Sequence, residues 1–320
     1  MLRSAARRGV DWLHQTFSAK ARFARRVKAA KKLRAESPHV YSDEPKLSLV
    51  LLSFNHRGNI DAIMNGLRQT VADEIIVCDD GSIDGSERAW MRHLNRPNDF
   101  LIRSNDIHEI RSYNRAIDHA RGEYVAVLQD DDIPPLDGEW VRHALGLMSQ
   151  YPKLAVLGCY VGMAADYSRT DKVKFKYFVG WNDLDKDWAV PFVDPVNKVP
   201  FMFVPGIGIG PVFFRRKVFR ELGGFDLAFS RAGEPGILLD YDLSARAWLA
   251  GYQVGVFEAP AFRRYVGGQG TMLFAKGVRE KNFAANMEIV RQRYAGKADT
   301  IEGMAADLNR GLRPRGDRAP

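Results

Sequence analysis

The chain has 320 residues, 46% of them hydrophobic, and 47 Lys and Arg against 39 Asp and Glu give it a formal charge of +8. That length and apolar share suit one large α/β domain with helical ends and exclude a disordered or fibrous chain. Its two cysteines, Cys78 and Cys159, both sit in apolar runs, which excludes a disulfide scaffold and a zinc cluster and fits free thiols in a reducing compartment.

Residues 1–40 differ in composition from the rest. LRSAARRGVDWLHQTFSAKARFARRVKAAKKLRAE is rich in Lys and Arg and nearly free of acid, with Leu2, Val10, Leu13, Phe17, Ala21, Ala24 and Val27 spaced for one helical face. A basic amphipathic helix carrying Trp12, Phe17 and Phe23 predicts attachment to an anionic membrane surface through residues 1–36. Packing on the domain is the alternative, and nucleic acid is the weakest of the three partners. No apolar run reaches membrane-spanning length, and Arg7 and Arg8 are followed by charge rather than by a signal core. The expected location is cytoplasmic, peripheral on the inner face of the cell membrane.

A strand is predicted at 47–55, LSLVLLSFN, followed by a helix over NIDAIMNGLRQTV. Residues 74–85, EIIVCDDGSIDG, form a second short apolar strand ending in Asp79 and Asp80 and a Gly-Ser turn. In SYNRAIDHARGEY, Tyr113, Ala116, Ile117 and Ala120 fall at helical spacing before Gly122, which is expected to close that helix. YVAVLQDDDIPP, 124–135, is a buried-type strand that delivers Asp130, Asp131 and Asp132 and is stopped by two prolines. Strand, helix, strand order implies parallel pairing with right-handed crossovers, which puts both acidic ends on one sheet edge. Ligands of open α/β sheets bind at that edge, and all-oxygen carboxylate sites suit Mg²⁺ or Mn²⁺. A metal-bound phosphate ligand is the expectation, with a solvated acidic turn as the alternative.

Residues 164–200 are irregular and contain Trp181 and Trp188, suited to stacking on a ligand or to packing on the core. FMFVPGIGIGPVFFRRKVFRELGGFD, 201–226, lacks the context of a dinucleotide fingerprint. Its Gly-Ile alternation predicts a strand leaving room for a ligand, then a helix ending in a glycine cap. In LLDYDLSARAWLAGY, 238–252, Asp240 and Asp242 sit where a helix N-cap and a first-turn acid belong. RRYVGGQG places Arg263 and Arg264 after this helix, and RGLRPRGDRAP ends the chain in a tail expected to be flexible.

Taken in order, LSLVLLSFN, IIVCDDGSIDGS, SYNRAIDHARGEYVAVLQDDD, GGFD and LDYDLSARAWLAGY resemble the family 2 glycosyltransferases of the GT-A fold, over roughly 46–270. The resemblance implies an α/β, Rossmann-like, mostly parallel sheet flanked by helices, with a nucleotide-binding half at 46–135 and an acceptor half at 136–270. A helical segment at 271–298 and a flexible tail at 299–320 would follow. It implies a metal-dependent hexosyltransferase-type enzyme, inverting and of bacterial cell-surface glycan type, moving sugar from a nucleotide-diphosphate donor to a glycan or lipid-linked acceptor. Asp79, Asp80, Ser53, Asn55, Asp130 and Arg111 would bind the nucleotide, and Asp131 with Asp132 the divalent cation, Mn²⁺ or Mg²⁺. Asp240 would be the base, with Glu234 in reserve. Asp242, Glu234, Arg263, Arg264 and Trp181 would face acceptor or diphosphate.

Three departures from the family pattern stand out. Gln129 occupies the first acidic position, Leu239 replaces the Glu of a Glu-Asp pair, and Tyr113 replaces an Arg, so Arg111 or Arg115 is left to contact phosphate. A nucleotidyltransferase, which would need a basic Gly-rich loop after the first strand, and a catalytically degenerate nucleotide-sugar-binding module are the alternatives.

Overall fold

Every residue of LSLVLLS except Leu52 is fully withdrawn from solvent, as expected for a central strand covered on both faces. The computed structural model describes residues 24–25, 27–28, 44–105, 107–159, 161–163, 177–178, 190–230, 233–259, 263–264 and 276–316. In it β1 (Leu47–Ser53) pairs in parallel with β2 (Glu74–Asp79) on one side and β4 (Tyr124–Gln129) on the other. β3 (Phe100–Arg103) extends the sheet beyond β2, again in parallel.

The sheet continues past β4 through β12 (Val212–Arg215), β6 (Leu154–Gly158), β13 (Gln253–Phe257) and β10 (Phe201–Phe203), giving the order β10-β13-β6-β12-β4-β1-β2-β3. β12 is antiparallel to both of its neighbours and β10 is antiparallel to β13, so the eight-stranded sheet is mostly parallel. The expected nucleotide and acceptor halves therefore share one sheet. The two-residue strands β5 (Asp132–Ile133) and β14 (Arg263–Arg264) pair with each other, and β7 (Val161–Met163) pairs with both β8 (Tyr177–Phe178) and β11 (Gly206–Ile207).

Helices cover the faces. α1 (Ile60–Leu67) buries Ile60, Ile63, Met64 and Leu67, the i, i+3, i+4, i+7 stripe of a core-facing helix. α2 (Ser86–His93) follows β2, and α3 (His108–His119) lies against β1 and β2. α4 (Glu139–Gln150) packs on β6, α5 (Arg216–Glu221) follows β12, and α6 (Leu239–Leu249) packs on β11 and β13. Each buried Leu, Ile, Val or Phe on these faces contributes roughly 1.5–3 kcal/mol.

Two glycines serve purposes that their place in the sequence does not announce. Gly122, expected to close α3, lies beyond the Ala120 cap. A side chain there would meet the Ser48 amide nitrogen at 2.6 Å, so glycine is needed for close strand packing. Gly66 of α1 would likewise strike the Pro134 carbonyl oxygen at 2.6 Å. That contact seats the Pro-Pro segment on α1 and fixes the turn carrying the three aspartates. The expected glycine cap of α5 is a Schellman motif: Gly223 N–H donates to Arg220 O at 2.9 Å and Gly224 N–H to Phe219 O at 2.8 Å.

The expectation of a flexible tail is corrected. α7 (Lys276–Tyr294) is followed by α8 (Ala298–Asn309), which buries Ile301 and Ala305, and then by β15 (Arg313–Pro314), paired with β9 (Phe192–Val193). The Asn309 side chain accepts from Phe203 N–H and donates to Phe203 O, both at 2.8 Å, closing the β10 edge of the sheet. Among the described residues no helix is long and apolar enough to cross a membrane. The amphipathic segment 1–40, apart from four residues, and Trp181 with Trp188 lie outside the described residues.

Candidate active site

The parallel register brings the ends of β1, β2 and β4 level. Ser53 stands beside Asp79, and Leu52 beside Gln129. The residues that follow these strands converge on the carboxyl edge of the sheet, where open α/β folds bind ligands.

Asp79 is fully buried. Its Oδ1 accepts from Gly81 N–H at 3.2 Å and Ser82 N–H at 2.9 Å, while Oδ2 is buried with no hydrogen-bond partner. Asp80 accepts from the N–H groups of Ile107 and His108 at 3.1 and 2.8 Å, so its charge sits on the free amides opening α3. Asn55, in the left-handed region at φ 56°, accepts from Ile83 N–H at 2.9 Å, and its own N–H donates to Ser82 Oγ at 2.9 Å. It thereby staples the β1 turn to the β2 turn. Ser53 is committed inward, accepting from Trp90 Nε1–H at 2.8 Å and tying α2 to β1.

The three aspartates after β4 have separate fates. Asp130 Oδ2 accepts from Phe54 N–H at 2.6 Å, and its Oδ1 lies 2.6 Å from His56 Nδ1, off the line of a good hydrogen bond. Burial pushes the Asp130 carboxyl up, opposed by His56 and the Phe54 N–H, while Asp130 holds the His56 imidazole above its usual range. Asp132, expected beside Asp131 as a second metal ligand, is fully buried, and its Oδ2 accepts from Gln129 N–H at 3.0 Å. Gly210, at φ 79°, presses on this turn: a side chain there would lie 2.9 Å from Asp132 Oδ2 and 2.9 Å from Gln129 Oε1. Asp131 is half-buried and makes no hydrogen bond or ion pair among the described residues.

β14 brings Arg263 and Arg264 to this edge, with Arg264 in register with Asp132 and Arg263 with Ile133. Across from the strand ends, Asp240 lies in the first turn of α6. The helix cap is Leu238, at φ 66° and without a side-chain bond, so Asp240 is not the cap. Its Oδ1 accepts from Tyr241 N–H at 2.9 Å and its Oδ2 from Ile209 N–H at 3.0 Å, the latter in the Gly-Ile alternation. Burial pushes Asp240 up against the pull of these two amides, which suits a group that must take a proton near neutral pH.

Asp242 is turned to another task. Fully buried, it pairs with Arg246 at 2.7 Å and Arg293 at 3.0 Å and accepts from the Tyr294 hydroxyl at 2.6 Å. Arg293 also reaches Asp226 at 2.6 Å. α7 is thereby tied to both α6 and the GGFD turn, and Asp242 is a structural anchor rather than a ligand contact. Glu234 accepts from Asn282 of α7 at 3.2 Å. Arg111 donates to Ser230 O at 3.4 Å and lines a cleft outside α3 that none of the strand-end carboxylates lines.

His56 and Asn114 were not singled out by the sequence. His56 follows β1 by three residues, a position without a residue-type signal of its own. Asn114 holds the GGFD turn: its Nδ2 donates to Phe225 O at 2.7 Å and its Oδ1 accepts from Phe225 N–H at 2.9 Å.

None among the curated proteins compared matches the sequence significantly. Of solved structures, Staphylococcus aureus TarS 1-349 in complex with UDP-GlcNAc is 16% identical, with a TM-score of 0.54 over 83% of this chain and 72% of that one. A longer TarS structure is 14% identical at TM-score 0.52 and is covered over 44% of its length. GalNAc-T7 with UDP, GalNAc and Mn²⁺ is 12% identical at TM-score 0.52, covering 84% of this chain and 58% of that one. These likenesses concern the fold. The family model described as Glycosyl transferase family 2 matches residues 48–223, more than half of the chain and the ends of β1, β2 and β4 that form the acidic edge, and the chain therefore belongs to the family 2 glycosyltransferases.

Proposed function

We propose that this glycosyltransferase binds its nucleotide-sugar donor across the β1, β2 and β4 ends with a divalent cation on Asp131, and that Asp240 deprotonates the acceptor hydroxyl. The observation that carries this reading is the contrast along the acidic edge. Asp79, Asp80, Asp130, Asp132 and Asp240 all accept hydrogen bonds from backbone amides, whereas Asp131 makes none among the described residues.

Among the described residues no three His, Cys, Asp or Glu side chains form a ready metal cluster. Mg²⁺ binds through one or two carboxylates and completes its shell with water and substrate phosphates, so Asp131 would serve as the protein's anchor for it. Such a cation would neutralise charge building on the leaving diphosphate. The buried Asp79 Oδ2 can accept a base N–H once the adjoining turn admits it, and a carboxylate offers no competing donor there. Arg263 and Arg264 stand on the strand nearest Asp132, suited to bidentate phosphate contacts.

A single carboxylate across the edge from the nucleotide supports one-step displacement with inversion. A glycan or lipid-linked acceptor is proposed on the basic, amphipathic residues 1–36, which would hold the enzyme at a membrane surface. UDP, GDP, CDP and dTDP should be titrated calorimetrically with Mn²⁺ and with EDTA into the chain and into Asp131→Asn. Metal-dependent binding of one nucleotide, lost in the variant, is the expected result. Binding that survives Asp131→Asn removes Asp131 as the ligand, and absence of binding for all four favours a degenerate module.

A further inference from the structure

Arg111, Arg115 and His119 of α3 follow one another at spacings of four, which places them on one ridge. Like charges at i, i+4 destabilise a helix by a few tenths of a kcal/mol, and cations in its first turns also oppose the macrodipole. The ridge thus works against the folding of its own helix. A function outside folding is the simplest physical reason for it.

This ridge forms one wall of an open cleft of about 400 Å³, lined by Arg111, Asn114, Arg115, Asp118, His119 and Leu227. Arg111 spends one donor on Ser230 O, and Arg115 is exposed with no ion pair or hydrogen bond among the described residues. Two acids stand near these arginines, Asp118 in the cleft lining itself and Asp226 beside it, and each has a basic neighbour. Asp118 lies 3.9 Å from Arg220 and Asp226 lies 2.6 Å from Arg293. Asn114 is locked onto Phe225, which makes the floor rigid, and the half-exposed Leu227 supplies an apolar rim.

We infer that the cleft between α3 and the turn at Leu227 binds a phosphoryl group at a site separate from the acidic edge. Two guanidiniums one helical turn apart, each with free N–H groups, match phosphate oxygens with the bidentate geometry that distinguishes Arg from Lys. His119 adds a third donor, and the apolar rim accommodates whatever carries the phosphate. The phosphate of a soluble ligand and that of a lipid headgroup share this chemistry.

The test titrates inorganic pyrophosphate into the full chain in EDTA, where the cation-free acidic edge repels anions, and into the Arg111→Gln/Arg115→Gln double variant. The expected result is saturable binding weakened about tenfold or more in the variant, as for the loss of charge-assisted hydrogen bonds, with no fall in melting temperature. Arg115→Lys should fall between the two. A second arm floats both proteins with phosphatidylglycerol vesicles and with phosphatidylcholine vesicles. Flotation on the anionic vesicles that falls in the variant and is displaced by pyrophosphate assigns a lipid headgroup. Flotation equal for both proteins, with pyrophosphate binding lost, assigns a soluble phosphate. If wild type binds neither probe, or the double variant binds both as wild type does, the inference is overturned.

Discussion

Asp240 Oδ2 accepts a hydrogen bond from the Ile209 amide at 3.0 Å, which joins the start of α6 to the Gly-Ile-Gly loop beside the acidic turn. The carboxylate is thus held in place by backbone from another part of the chain, and burial raises its affinity for a proton. Asp240→Asn keeps the shape and loses the proton acceptor. Transfer is expected to fall by about 10²–10⁴-fold while nucleotide affinity is unchanged, measured by product formation and calorimetry on the same preparation. Transfer close to the wild-type rate would leave Asp240 a purely structural role. With a raised folded-state value, activity should climb with pH on an acid limb lying above the ordinary carboxylate range.

Asp131 and Asp132 should separate in mutagenesis. Asp131→Asn touches no internal bond and is expected to abolish the metal dependence of nucleotide binding with no change in melting temperature. Asp132→Ala removes the acceptor of a buried amide and should cost about 1–3 kcal/mol. Thermal melts of both variants decide this, and equal melting temperatures would contradict the division of labour.

The pair of bonds from Asn114 to Phe225 makes a local stability claim. Asn114→Ala leaves a backbone donor and acceptor without partners and should cost about 2 kcal/mol, read from denaturant unfolding. Asn114→Asp, which can only accept, should retain part of that stability above the carboxylate range.

Asp226 supplies a pH test. Its carboxyl is desolvated, which alone would raise its value, but the Ala228 N–H and Arg293 outweigh this and hold it low. A depressed folded-state value stabilises the fold above the unfolded value of about 3.9 and loses that contribution as pH falls through the folded value. Asp226→Asn is therefore expected to melt lower than wild type at neutral pH, with the gap closing in acid. A gap that stays constant into acid would trace the loss to packing instead.

The acidic edge was legible because each of its strands is a short apolar run ending in carboxylates, and parallel pairing follows from the helices between them. Asp79, Asp80 and Asp130 to Asp132 could be placed on that edge without coordinates. The division of labour among them could not, since it depends on amides of Ile107, Phe54 and Gln129 brought in by turns. Asp240 and Asp242 are two residues apart and look alike in sequence. They part company because Arg293, 51 residues downstream, claims Asp242. The C-terminal expectation failed for a related reason: a tail rich in Arg, Gly and Pro reads as solvated, and nothing local reveals that Asn309 fits the edge of a strand 106 residues earlier.

The closure of β10 by Asn309 also bears on how the chain matures. Until Asn309 has docked, the outer edge of β10 at Phe203 is left open, a surface prone to intermolecular pairing. Shortened versions ending before Asn309 would carry that open edge permanently, so soluble production of the sheet is expected to depend on retaining α8.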